Sequence, residues 1–144
     1  MGKLKYFGVY FTPILALISF YSTGIYAYAG MIVLYLFIPL LENQIPKDSY
    51  NLNKTEKALA KSDWFYDVVL YLLVPIHLFV IYVFLHTISN PEITNTDLIA
   101  YVLMMGTVLG VNGINGGHEL GHKIGEPFKL FMAHVLLTTS FQNH

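Results

Sequence analysis

From Tyr6 to Leu41 the chain carries no charged residue, an unbroken run of 36. One helix crosses the hydrocarbon core of a bilayer with about 20 apolar residues, so this run is too long for one span and just sufficient for two. The reversal is expected near Ser22-Thr23-Gly24, where glycine permits a tight turn. A single tilted helix followed by an interfacial segment is the weaker alternative. Lys3 and Lys5 ahead of an apolar stretch also suggest a cleaved leader, but the run outlasts a signal h-region and lacks a small-x-small exit. The chain reads as a membrane protein.

Composition narrows the chemistry. Charged residues make up 12%, about half the share of a soluble domain. An aromatic content of 15% excludes disorder. A net charge of −1 gives no basic footprint, so no nucleic-acid partner is expected. The absence of cysteine excludes a disulfide scaffold, thiolate-held zinc, thiolate-held iron–sulfur clusters and cysteine nucleophiles. Any metal must therefore be held by His, Asp or Glu.

Residues 42 to 67 form a polar connection with balanced charges. Asn53, followed by Glu56, opens a short surface helix, and Trp64-Phe65-Tyr66 marks an aromatic interface belt. Apolar residues resume at Val68 and continue past Pro75 to Leu85, so the proline is expected to kink the helix without ending it. A linker, His86 to Asp97, precedes a fourth span from Leu98 to His118, and a fifth apolar stretch begins at Phe128. The expected fold is an all-α polytopic transmembrane bundle. Its four complete spans lie at about 6–22, 24–41, 68–85 and 98–118, with a truncated fifth at 128–144. All eight basic residues are lysines, and a cytoplasmic N-terminus places every one of them on the inner side, as the positive-inside rule requires.

The sharpest motif is His118-Glu119-Leu120-Gly121-His122-Lys123, preceded by Asn115-Gly116-Gly117. On a helix, His118 and His122 lie one turn apart on one face, the spacing that lets two imidazoles grip one metal. Span four is about 31 Å long, which brings the pair to the cytoplasmic boundary. Gly106, Gly110, Gly113, Gly117 and Gly121 share a stripe at helical phase, with Asn115, His118 and His122 on the neighbouring face. Such a stripe admits a close helix contact in lipid, though packing alone would also explain it. His-Glu-x-x-His is familiar from zinc proteases, where the glutamate serves as base on a metal-bound water. The same spacing suits histidine-rich non-haem iron enzymes of membranes. The motif by itself leaves both open.

Beyond the motif, the chain resembles the integral-membrane alkane 1-monooxygenases, relatives of the membrane fatty-acid desaturases and xylene monooxygenases. Pro39-Leu40-Leu41-Glu42 closes the second span, where that family usually has Pro-Leu-Leu-Asp. Val74-Pro75-Ile76-His77 lies within the third, His118-Glu119-Leu120-Gly121-His122-Lys123 ends the fourth, and Phe141-Gln142-Asn143-His144 looks like the approach to a second histidine box. The N-terminal twenty residues contribute least. The resemblance implies a non-haem di-iron enzyme that inserts one oxygen atom from O₂ at the terminal carbon of an alkane. It also implies a rubredoxin-type electron donor on the cytoplasmic side and a bacterial inner-membrane location amid lipid. His118 and His122 match the first box. The further boxes would lie beyond His144, so the chain reads as an N-terminal fragment, inactive by itself.

Other histidines carry competing readings. His77, near mid-membrane, could support a metal ligand, line a substrate channel, or simply bond across helices. His134 is expected to pack, His86 to meet the headgroups, and His144 to precede a box without binding iron. Glu119 would be the base in a protease, whereas in the iron reading it orients or charge-balances a ligand. Asn115 shares that environment. The apolar residues of spans two and three could accept an alkyl chain. The rival functions are a membrane-embedded zinc metalloprotease and a non-enzymatic helical module with a structural histidine pair.

Overall fold

The computed structural model describes residues 3–44, 64–121 and 126–140, and every regular element among them is helical. Helix α1 (Phe11–Phe20) is entered through a 3-10 stretch, Lys3–Tyr10. Helix α2 runs over residues 24–44, α3 is Trp64–Ile88, α4 is Asn95–Gly121 and α5 is Pro127–Thr139. The surface helix expected over residues 53–61 lies outside the described residues. Three helices are long and apolar enough to cross a membrane: Gly24–Leu41, Asp67–Ile88 and Asn95–Gly121. The apolar helix Phe7–Phe20 is shorter. At 13 residues, α5 reaches only about 20 Å.

Local sequence explains the breaks. Gly24 takes φ 61° at the α1–α2 reversal, a left-handed conformation that a side chain would strain. Thr94 caps α4, its hydroxyl accepting the Asp97 N–H at 3.1 Å. Helix α3 continues through Pro75, which leaves the Tyr71 carbonyl without its helical donor. Both α2 and α4 contain π-helical turns, at Val33–Phe37 and Leu109–Asn115.

Hydrogen bonds fix the up-and-down register. At one end the Gly24 N–H donates to Asp97 Oδ1 at 2.7 Å, Tyr101 donates to the Ser22 carbonyl at 2.6 Å, and Tyr28 donates to the Thr96 carbonyl at 2.8 Å. Midway, Tyr35 and Thr107 share a hydroxyl contact at 3.2 Å. Towards the other end, Tyr10 donates to the Val69 carbonyl at 2.6 Å and Lys129 pairs with Asp67 at 2.7 Å.

Two apolar clusters follow from that register. Leu15, Phe20, Val80, Tyr101 and Met104 centre the larger one, joining α1, α3 and α4 near the reversal. Leu70, Val74, Leu120, Ala133 and Leu136 form the smaller one, where α3, α4 and α5 meet beside the histidine motif.

Candidate metal centre

The end of α4 is held by a close helix contact on one half of its glycines. A Cβ on Gly117 would lie 2.7 Å from Leu137 Cγ, and one on Gly116 would lie 3.0 Å from a Leu73 methyl. On Gly113 it would collide with Ser140 Oγ. Gly106 and Gly110 meet nothing within 4 Å, so the five-glycine stripe does not act as one surface. The π turn at Leu109–Asn115 is the reason. Its i→i+5 closure takes an extra residue per turn and rotates everything downstream relative to Gly106.

His118 stands half-buried on the last turns of α4. His122, Lys123 and the run Phe141 to His144 lie outside the described residues. Glu119, also half-buried, lines a cavity of about 390 Å³ together with Asn115, Asn112 and Gly116 of the same helix. The opposite walls are Leu70 and Leu73 of α3 and Gly8 and Val9 of the N-terminal segment. The space therefore has one polar wall, on the motif helix, and apolar walls elsewhere. Helix α2 contributes nothing to it, so the apolar room beside the motif is not between spans two and three. Among the described residues no group of three or more His, Asp or Glu side chains is placed to hold a metal. His118 can offer one imidazole, and the described residues do not complete a coordination sphere around it.

His77 is fully buried on α3, and its Nε2 lies 3.0 Å from Thr139 Oγ1 on α5. The Thr139 hydroxyl already donates to the Leu136 carbonyl at 2.7 Å, so it can only accept from the imidazole. The neutral ring is thereby fixed as the Nε2–H tautomer. Its Nδ1 lone pair is buried and has no partner among the described residues. His77 thus bonds across helices and is absent from the cavity wall. His134 does not pack. It is exposed, with Nδ1 2.7 Å from the Leu130 carbonyl one turn earlier, because the apolar face of α5 at Ala133, Leu136 and Leu137 turns it outwards. His86 is exposed at the far end, its ring 6.3 Å from that of Tyr82.

The sequence reading passes over two contributors. Asn112, 2% exposed, donates from Nδ2 to the Val9 carbonyl at 2.8 Å and leaves Oδ1 unpaired. A polar side chain at mid-span is the signal that marks it. The second is Lys129, buried at the start of α5 between Asp67 and Glu126, each at 2.7 Å. Burial alone would push the ammonium towards neutrality. Hydrogen bonds from the two carboxylates outweigh that and raise its pKa above the ordinary lysine value.

No protein-family model matches the chain. Alkane 1-monooxygenase 1 of Alcanivorax borkumensis is 31% identical over 135 residues, which cover 92% of this chain and 33% of that protein. The alkane 1-monooxygenase of Pseudomonas putida is 29% identical over 151 aligned positions, covering all of this chain and 37% of the relative. That of Ectopseudomonas oleovorans is 29% identical over 135 residues, again with 92% of this chain and 33% of the relative. The chain spans about a third of the length of the curated relatives it matches. Over that third, it is a homologue of the alkane 1-monooxygenases.

Proposed function

We propose that this chain is part of a membrane alkane 1-monooxygenase, to which it supplies one pair of metal-binding histidines and a wall of the hydrocarbon site. The observation that carries the reading is the similarity to those enzymes across 92% of the chain, His-Glu-x-x-His motif included. The lysine distribution supports a cytoplasmic N-terminus in a bacterial inner membrane. The motif then lies at the cytoplasmic boundary, within reach of a rubredoxin-type donor.

In this reading His118 and His122 hold iron, with further ligands drawn from outside this chain. A non-haem di-iron group bound there would supply the O₂ chemistry that converts alkane, O₂, two electrons and two protons into 1-alkanol and water. The chain's own work is positional. Gly113, Gly116 and Gly117, packed on α5 and Leu73, fix the end of α4 and so the direction of its imidazoles. Glu119 and Asn115 form the polar edge of the cavity, where Glu119 orients or charge-balances a ligand. Leu70, Leu73 and Val9 hold the alkyl chain against that edge and exclude water. With two histidines of the required set, the 144 residues by themselves do not turn over.

The test is oxidation of an n-alkane series by the protein expressed from its complete reading frame, in nanodiscs with a rubredoxin donor. O₂-dependent formation of 1-alkanols is the expected result. Zinc in place of iron, with O₂-independent peptide cleavage, overturns it in favour of a protease.

A further inference from the structure

We infer that Gly8 sets the length of alkyl chain that the cavity beside the histidine motif accepts. This rests on the hydrocarbon reading above and goes beyond it to a specificity-determining position. Gly8 and Glu119 both line the same space of about 390 Å³, so the cavity runs from the motif helix to the N-terminal segment. A Cβ added at Gly8 would meet no heavy atom within 4 Å. A side chain there has free volume to enter and no protein to displace. Gly116, on the same wall system, behaves oppositely: its Cβ would press on Leu73 at 3.0 Å and Leu136 at 3.4 Å.

The segment carrying Gly8 is anchored, so it works as a fixed stop. Asn112 holds the Val9 carbonyl at 2.8 Å and Tyr10 donates to the Val69 carbonyl at 2.6 Å, one bond to α4 and one to α3. Within a bilayer an apolar ligand gains little by leaving one hydrocarbon surrounding for another. Selection then falls to volume and contact, which a fixed wall without a side chain leaves to the ligand. The occupant that fits is a single unbranched alkyl chain, its end towards Glu119 and its tail limited at Gly8.

The experiment uses the protein from its complete reading frame in nanodiscs and n-alkyl diazirine photoprobes of increasing length, with labelled residues mapped by mass spectrometry. Wild type should show saturable labelling at Leu70, Leu73 and Val111 that unlabelled n-alkane competes away. Gly8→Leu should shorten the longest accepted probe by about four carbons, the size of the added side chain. Labelling at the former limit should fall at least about tenfold, with Gly8→Ala intermediate. Gly106→Leu, an open position far from the cavity, should leave the profile unchanged. An identical length profile in Gly8→Leu and wild type overturns the inference, as does labelling at these residues that never saturates, which would mean lipid alone enters. Failure of the enzymatic reading is distinguishable: the probe profile shifts as described while no alkanol forms. Alkanol formation with an unchanged product-length profile in Gly8→Leu sinks the Gly8 role and leaves the function standing.

Discussion

The amide of Asn112 donates to the carbonyl of Val9 at 2.8 Å, and Val9 stands four residues before Pro13. Proline has no N–H, so it cannot supply the α-helical donor for that carbonyl. The neighbouring helix supplies one in its place, and in lipid no water would substitute. Asn112→Leu should therefore destabilise the bundle by about 1–3 kcal/mol, measured by steric-trap or denaturant unfolding in bicelles. On a Pro13→Ala background, where residue 13 regains its N–H, the same substitution should cost clearly less. Equal costs on both backgrounds would remove the compensation argument.

The α4–α5 contact predicts opposite outcomes for two glycines of one helix. Gly117→Ala places a methyl 2.7 Å from Leu137 Cγ and should cost about 1–3 kcal/mol. Gly106→Ala meets nothing within 4 Å and should be neutral, or stabilising by up to about 1 kcal/mol through helix propensity. Similar losses at both sites would mean that the glycines act as one stripe after all.

That contrast also shows what the sequence could and could not reveal. The reversal at Ser22-Thr23-Gly24 was legible because a 36-residue apolar run must turn and glycine alone suits φ 61°. The helix through Pro75 was legible because apolar residues continue on both sides of it. The phase of α4 was not. A constant 100° per residue aligns Gly106 with Gly117, whereas the π turn at Leu109–Asn115 separates them, and nothing in its composition announces i→i+5 bonding. The cavity escaped for a similar reason. Its far wall, Gly8 and Val9, is brought to the motif by Asn112 across 103 positions, a pairing that helical periodicity does not encode.

His77 offers a spectroscopic check on the α3–α5 junction. Nitrogen-15 NMR of labelled histidine should find a protonated Nε2 and a bare Nδ1, because Thr139 can only accept. Thr139→Val should release that preference and cost about 1 kcal/mol. The opposite tautomer in the native protein would contradict the assigned bond.

Lys129 gives a pH signature. Its folded pKa lies above the unfolded one, so the stabilisation it provides is complete below the ordinary lysine value, about 10.4, and is lost as pH rises through the folded value. Lys129→Met should be less stable at neutral pH, by on the order of 3 kcal/mol, because Asp67 keeps its charge without its partner. The gap between variant and wild type should narrow in strong alkali. A gap that stays constant from pH 7 to 12 would show that the ammonium's charge contributes nothing.

The account turns on His118 and His122 as metal ligands. Elemental analysis of the protein from its complete reading frame, purified beside His118→Ala and His122→Ala, tests that most directly. Iron in the wild type, with at least about half lost in each variant while folding is retained, is the predicted result. Iron content unchanged by either substitution, or zinc as the bound metal, would contradict it.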